Sequence, residues 1–156
     1  MQKRRCCFIG HSLISDPNTE NEIIKTAESL ITTNKVDEFW VGRRGDFDHL
    51  AISAIQSLKK KYPHIRLVRV ASYHSEISRE YETLNKGRYD ETIISNIPEK
   101  TPMKFRIIKT NEFMVDNSDF LVCFVRFNWG GAYRTYEYAK RNKQIDIINL
   151  CKDVCF

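Results

Sequence analysis

The chain has 156 residues, of which 42% are hydrophobic and 29% are charged, and its formal net charge is +5. These values fit one globular domain over residues 1–156, and they exclude disordered, collagen-like and low-complexity chains. No apolar run is long enough to cross a membrane and no targeting segment is recognised, so we expect a cytoplasmic protein.

The first strand and the first helix are predicted near the start of the chain. Residues 5–9 form an apolar run that is typical of a buried strand. An apolar stripe at helical spacing follows, and Thr19 with Glu22 three residues later predicts a capping box at the start of that helix. Cys6 and Cys7 lie within the strand, where cysteine behaves as a small hydrophobic residue. We therefore expect reduced thiols among the five cysteines.

A second strand, a second helix and a third strand come next. The strands are residues 38–42 and 67–71, and apolar residues spaced along one face predict the helix between them. Asp46 is the predicted N-cap of this helix, and Pro63 follows its end.

Residues 72–104 interrupt the alternation of strands and helices. This stretch mixes tyrosines, charges, glycine and proline with little periodicity, and it predicts a lid or binding loop that contains a short helix at residues 76–84. Residues 91–94 are a weaker candidate for a further strand.

The remainder of the chain returns to alternating elements. A helix ending near Asn117 precedes a strand at residues 120–126, and a helix at about residues 131–142 precedes a strand at residues 145–150. Apolar strands that alternate with helices predict an α/β fold with a mostly parallel sheet of about five strands. With helices on both faces of that sheet, the expected architecture is a Rossmann-like three-layer sandwich.

Three loops that follow predicted strands carry glycine next to polar or basic side chains. The loops after parallel strands meet at one edge of the sheet, which is where ligands bind in such folds. Glycine at a helix start exposes backbone amides to an anion, and arginine is suited to bidentate phosphate contact. Each loop taken alone also fits an ordinary tight turn. The candidate ligand-binding residues in the three loops are Gly10, His11, Ser12, Gly42, Arg43, Arg44, Gly130 and Gly131.

Standard cofactor and metal motifs are absent from the sequence. Neither GxGxxG nor a P-loop signature occurs, so dinucleotide and P-loop ATP binding have no support. Cys151 and Cys155 have no CxxC spacing and no neighbouring histidine, so they do not predict a zinc site. We expect neither a cofactor nor a metal.

Four sequence segments carry a family resemblance. They are CFIGH at residues 7–11, FDHLA at residues 47–51, MVDNSDFLV at residues 114–122 and GGAYRTYEYA at residues 130–139. Together they resemble the SLOG superfamily and, within it, the branch called DUF1273 or YspA/YpsA-like. The resemblance covers nearly the whole chain, and it implies a Rossmann-like nucleotide pocket.

The superfamily is related to the LOG phosphoribohydrolases, to the DNA-processing protein DprA and to domains that sense nucleotide-derived signals. LOG enzymes carry PGGxGTxxE, whose glycines hold phosphate and whose glutamate takes part in cleaving an N-glycosidic bond. The resemblance places Glu137 at the offset of that glutamate, and it implies ligand contacts by Asp48, Arg134 and Thr135. The chain departs from the motif at its proline and at its third glycine, which favours binding over catalysis.

Three functions are compatible with these observations. The main hypothesis is that the chain binds a small nucleotide-derived ligand, as a signal sensor, with phosphate on the loop of Gly130 and Gly131. The first alternative is hydrolysis of the N-glycosidic bond of a nucleoside monophosphate, with Glu137 as the catalytic residue. The second alternative is nucleic-acid binding of the DprA type. Only the net charge supports it, and we do not expect nucleic acid to be a partner.

The last predicted helix also suggests self-association. Tyr133, Tyr136 and Tyr138 lie on more than one face of that helix, which is more aromatic surface than one face of a sheet can cover. We therefore expect a homodimer or a larger homo-oligomer.

Overall fold

The computed structural model describes residues 4–42, 45–72, 88–142 and 144–156. Strands and helices alternate along these residues. The strands are β1 (Arg4–Gly10), β2 (Val36–Val41), β3 (Arg66–Ala71), β4 (Glu91–Ile94), β5 (Phe120–Phe124) and β6 (Asp146–Asn149). The helices are α1 (Thr19–Thr33), α2 (Asp46–Lys61), α3 (Met103–Asp116) and α4 (Gly130–Arg141). The helix predicted at residues 76–84 lies outside the described residues.

The six strands form a single parallel sheet in the order β4-β3-β2-β1-β5-β6. The predicted α/β fold with a Rossmann-like three-layer arrangement is therefore confirmed, with residues 91–94 as a full member of the sheet. The strand order changes direction between β1 and β5. At such a switch point the two loops that follow the strands lead to opposite faces, which leaves a crevice between them.

The core consists of two apolar layers, one on each face of the sheet. Side chains alternate along each strand, so that Cys6 and Phe8 of β1 pack with α1 and α2, whereas Cys7 and Ile9 pack with α3 and α4. All four of these side chains are buried. The near-continuous apolar runs in the sequence arise because both faces of the central strands are covered.

The two predicted helix caps are wrong in detail. Thr19 is the first helical residue of α1, and its hydroxyl donates to the carbonyl oxygen of Asp16 at 3.0 Å instead of capping the helix. Asp46 is likewise the first residue of α2 rather than its N-cap, and its carboxylate accepts a hydrogen bond from the backbone amide of Ile14 at 3.0 Å. Thr19 thus binds the turn just before its own helix, whereas Asp46 binds the loop after β1, a contact between residues 32 positions apart that local sequence does not reveal.

No helix in the described part of the chain combines the length and the apolar character that crossing a membrane requires.

Candidate functional site

A cleft of about 290 Å³ opens at the switch point between β1 and β5. All three predicted loops reach it, and seven of the candidate residues line it together with Trp129. These seven are Gly10, His11, Ser12, Gly42, Asp48, Gly130 and Gly131. Arg43 and Arg44 lie outside the described residues. The cleft is therefore the place where the structure brings most of the sequence-predicted ligand residues together.

Gly10, at the end of β1, is required for packing against α2. A β-carbon at this position would lie 2.3 Å from Cγ of Phe47, far inside van der Waals contact. Phe47 is fully buried and contributes to the core layer under α1 and α2. In the structure, glycine is needed at this position because the ring of Phe47 lies close to its backbone. The sequence had suggested instead that a ligand approaches this backbone.

His11 connects the loop after β1 with the loop after β5. Its Nε2 atom accepts a hydrogen bond from the backbone amide of Arg126 at 2.8 Å and a longer one from the amide of Phe127 at 3.4 Å. Its own backbone amide donates to the carbonyl oxygen of Phe124 at 3.2 Å. Burial lowers the pKa of the His11 imidazole below its ordinary value of 6.5, which favours the neutral ring.

The loop after β1 is also attached to the start of α2. The carbonyl oxygen of Ser12 accepts a hydrogen bond from the backbone amide of Asp46 at 2.8 Å. A β-carbon on Gly45 would lie 2.5 Å from Cα of Ser12, so the two segments are in direct contact. The three loops therefore form one hydrogen-bonded unit around the cleft rather than three independent turns.

The third loop ends in an open helix N-terminus. Gly130 has a φ of +90°, in the left-handed region that favours glycine. Trp129 is the N-cap of α4 and makes no side-chain cap hydrogen bond, and the first turn of α4 contains no acidic residue. By contrast, the first turns of α1 and α2 each carry two acidic residues. In α3 and α4, therefore, no carboxylate in the first turn opposes the N-terminal partial positive charge.

An aromatic platform stands at the rim of the cleft, and we define it as Phe127 and Trp129. The two rings stack with their centroids 4.4 Å apart and their planes 22° apart. Trp129 is 63% exposed, whereas His11 packs on the inner side of Phe127 with a centroid distance of 5.6 Å. An exposed indole next to a helix N-terminus is a suitable surface for stacking a base.

Part of the cleft lining is a set of polar residues that sequence reasoning missed. The hydroxyl oxygen of Thr110 lies 3.0 Å from that of Ser72 and 3.0 Å from that of Ser95, and all three residues are buried. Ser72 and Thr110 line the cleft, as does Asn111. Ser72 directly follows β3, so its position after a strand was a usable signal. Thr110 and Asn111 lie within α3, and their spacing gives no comparable indication.

Three predicted residues of α4 lie away from the cleft. Arg134, Thr135 and Glu137 line a separate depression between α3 and α4. The hydroxyl of Thr135 donates to the carbonyl oxygen of Gly131 at 2.9 Å, and Glu137 accepts a hydrogen bond from Lys140 at 3.2 Å. The catalytic role predicted for Glu137 stays a prediction, and it gains no support from this position.

The tyrosines of α4 are partly covered within the chain itself. Tyr133 and Tyr136 contact the ring of Phe156, with centroid distances of 5.3 and 5.8 Å. The homo-oligomer that these tyrosines predicted stays a prediction.

The cysteines near the site are not arranged for chemistry. Burial raises the pKa of Cys7 to about 12 and also raises the pKa of Cys123, so both remain thiols at neutral pH. Within the described ranges, no three His, Cys, Asp or Glu side chains converge as metal ligands would.

A curated protein matches most of the sequence. The chain is 25% identical over 138 residues to the uncharacterized SPbeta prophage-derived protein YoqJ of Bacillus subtilis (strain 168), with 78% of this chain and 80% of YoqJ covered. No family model matches the chain.

Two solved structures share the fold. DNA processing protein A (DprA) from Streptococcus pneumoniae superposes with a TM-score of 0.69 at 15% identity, covering 93% of this chain and 49% of that protein. DprA from Helicobacter pylori superposes with a TM-score of 0.62 at 12% identity, covering 97% of this chain and 68% of that protein. The chain thus spans about half the length of the S. pneumoniae protein.

These neighbours correct one expectation from the sequence. The H. pylori structure describes a single-stranded DNA binding mode of DprA. In the sequence only the net charge favours nucleic acid, and for that reason it was not expected as a partner. This finding overturns that expectation, because a protein with the same fold binds DNA. At 15% and 12% identity these structures show the fold alone, so the resemblance to the SLOG superfamily and to its DUF1273 branch stays a prediction. The chain has the α/β fold of the DprA structures.

Proposed function

We propose that the chain binds single-stranded DNA at the cleft between β1 and β5. In this proposal a backbone phosphate lies on the amides at the start of α4, and a neighbouring base stacks on Trp129. The observation that carries the proposal is the position of this exposed indole, which directly precedes Gly130 and the open N-terminus of the helix. Phosphate and base of one nucleotide would then contact adjacent parts of one loop.

The start of α4 supplies the phosphate contact. A helix N-terminus carries about half a positive elementary charge and several amides without partners inside the helix. In α4 neither a capping side chain nor an acidic residue in the first turn competes for these amides. Arg126 lies in the same loop, and its side chain is 42% exposed, so a guanidinium is available near the rim even though it pairs with Asp153 at 3.1 Å.

The aromatic platform supplies the base contact. Stacking of a base on an aromatic side chain contributes about 1–3 kcal/mol and tolerates any base, since every base has a π-face. The ring of Phe127 stacks on the indole of Trp129 with a centroid distance of 4.4 Å, which restricts the orientation of the exposed ring. Binding through stacking and phosphate contacts predicts little sequence preference.

Two further observations support DNA as the ligand. The net charge of +5 favours an anionic polymer, and the H. pylori neighbour with this fold binds single-stranded DNA. The fold likeness alone does not identify the residues that would bind. In the proposal, the binding residues are taken from the cleft of this chain.

The test is fluorescence anisotropy with a labelled oligothymidylate of about 15 nucleotides, a length that covers one small binding site. Trp129→Ala should weaken binding about 5- to 150-fold, which corresponds to the loss of one stacking contact of about 1–3 kcal/mol. Trp129→Phe should retain most of the affinity. Phe156→Ala is the matched control, because Phe156 is also a half-exposed aromatic residue but packs on Tyr133 and Tyr136.

Salt dependence provides the second part of the test. Affinity should fall steeply as salt is raised, because phosphate contacts release counterions from the DNA. No binding at low salt, or equal affinity of the wild type and Trp129→Ala, would show that the proposal is wrong.

A second candidate function is binding of a single nucleotide-derived molecule, as a signal, in the same cleft. The observation that favours it is that Ser72, Thr110 and Asn111 line the cleft together with the start of α4. A volume of about 290 Å³ is at the small end of the range for small-molecule sites, which is about 300–1,000 Å³. Calorimetric titration with thymidine monophosphate and with the oligothymidylate separates the two functions. Tight binding of the monomer alone would favour this candidate.

A further inference from the structure

The hydrogen bonds of His11 fix which of its ring nitrogens carries the proton. Nε2 lies 2.8 Å from the backbone nitrogen of Arg126 and 3.4 Å from that of Phe127. Backbone amides donate and cannot accept, so Nε2 must present its lone pair to them. The neutral ring therefore carries its single proton on Nδ1.

The Nδ1–H group of His11 is open to the cleft. His11 lines the cleft, and none of the described residues forms a hydrogen bond with Nδ1. Nδ1 is also not among the buried polar atoms that lack a partner in the described part of the chain, so it is in contact with solvent. A ligand in the cleft thus meets a donor at this position and not an acceptor.

We infer that His11 is a positioning residue with two functions: its Nε2 holds the aromatic platform in place, and its Nδ1–H donates to an acceptor oxygen of the bound nucleotide. The first function depends only on the fold. The second rests on the proposed function, because it requires a nucleotide in the cleft. A phosphodiester or base carbonyl oxygen fits the donor, whereas an amino group of a ligand would oppose it.

Protonation of His11 would disrupt this arrangement. A proton on Nε2 would point at the amides of Arg126 and Phe127, which are donors themselves, and the loop carrying the platform would have to move. In the described part of the chain, the charged groups near the cleft include Asp48, which lines it from α2, and Arg126, whose guanidinium pairs with Asp153. Burial lowers the pKa of His11, in agreement with a site built for the neutral ring.

The inference predicts an unusual pH dependence. A histidine that binds phosphate as a cation strengthens binding as the pH falls. His11 should do the opposite, so affinity for DNA should decrease as the pH falls below about 6.5, because the lowered pKa of His11 places its titration on the acidic side of that value.

The first experiment needs no DNA. The imidazole nitrogen chemical shifts of the full-length protein identify the tautomer of each of its four histidines, and His11 is assigned by the signal that disappears in His11→Gln. We expect the Nδ1–H tautomer, with Nε2 unprotonated at neutral pH. Protonation of Nε2 at neutral pH would overturn the inference.

The second experiment compares two substitutions that separate the two functions. His11→Gln offers an oxygen at the position of Nε2 but no donor at Nδ1, whereas His11→Asn offers a donor near Nδ1 but cannot reach the amide of Arg126. Mobility of the platform is read from the fluorescence anisotropy of Trp129 in a Trp40→Phe background. The chain has only these two tryptophans, and Trp40 is buried.

His11→Gln should keep the high Trp129 anisotropy, and its affinity for DNA should no longer change with pH. It should bind the oligothymidylate about three- to tenfold more weakly, as expected for one lost hydrogen bond. His11→Asn should lower the anisotropy at every pH. Equal anisotropy in both variants and the wild type, or tighter DNA binding by the wild type at lower pH, would overturn the inference. If the wild type binds no DNA, the proposed function fails, and the tautomer and the anisotropy still decide whether His11 holds the platform.

Discussion

Replacing Gly130 with alanine tests the backbone geometry on which the cleft depends. At a φ of +90° an L-residue is strained, and the cost of such a conformation is about 1–3 kcal/mol. A β-carbon at Gly130 would meet no atom within 4 Å, so steric contact with the rest of the protein adds nothing to this cost. Gly130→Ala should therefore lower the free energy of unfolding by about 1–3 kcal/mol through the backbone alone.

The neighbouring glycine provides the matched control. Gly131 has no atom within 4 Å of an added β-carbon either, but its φ is not positive. Because alanine is favoured over glycine in a helix, Gly131→Ala should be neutral or stabilising by up to about 1 kcal/mol.

Urea denaturation followed by tryptophan fluorescence measures both variants against the wild type. The difference between the two midpoints isolates the left-handed conformation, since the side-chain change is identical. If Gly130→Ala is as stable as Gly131→Ala, the left-handed geometry at the start of α4 does not exist in solution, and the open helix terminus loses its structural basis.

Four other changes test further parts of the structure. Gly10→Ala should destabilise the protein by about 1–3 kcal/mol in urea denaturation, because the new β-carbon overlaps Phe47, and a smaller residue at position 47 should recover part of the loss. Glu38→Ala should cost about 1–3 kcal/mol in the same assay, since its buried carboxylate accepts two side-chain hydrogen bonds. Glu137→Gln should leave DNA affinity unchanged, because Glu137 lies outside the cleft. A measurable loss would show that DNA also contacts the depression between α3 and α4. The lowered pKa of His11 means that the unfolded chain binds its proton more readily, so unfolding free energy should fall as the pH drops below about 6.5, and His11→Gln should remove that part of a pH titration of stability.

The sheet could be predicted because its signal is local. Each strand is a short apolar run, and burial on both faces makes that run nearly continuous, so the alternation of elements emerges from residue type alone. The positions of the loops follow in turn, because the carboxyl ends of parallel strands share one edge. This is why the sequence predicts that His11, Gly42 and Gly130 lie near one another.

The role of Glu137 could not be predicted, because a motif offset does not specify a direction in space. Glu137 follows Gly131 by six residues, which places it about 9 Å along the helix axis and about 120° around it. On this helix such a rotation turns the side chain toward α3 and Lys140. The spacing of the motif therefore predicts the position of the glutamate in the sequence, but it does not predict whether the side chain reaches the cleft.

Contacts between distant segments account for the other differences. Only glycine fits at position 10 because the ring of Phe47 lies against it. The carboxylate of Asp46, predicted to cap its helix, accepts a hydrogen bond from the backbone amide of Ile14 instead. Neither partner is visible in the few residues around the position concerned. Helix caps and turn glycines are inferred from local preferences, and long-range packing overrides such preferences.

The hydrogen bond between His11 and Arg126 joins residues 115 positions apart. Such a contact adds to the contact order of the chain, and it can form only after the first and fifth strands have paired. The cleft should therefore appear late in folding, together with the central pair of strands rather than with any local segment. A ligand that binds there would recognise only fully folded molecules and would stabilise the whole domain by mass action, so its binding would report directly on the completion of folding.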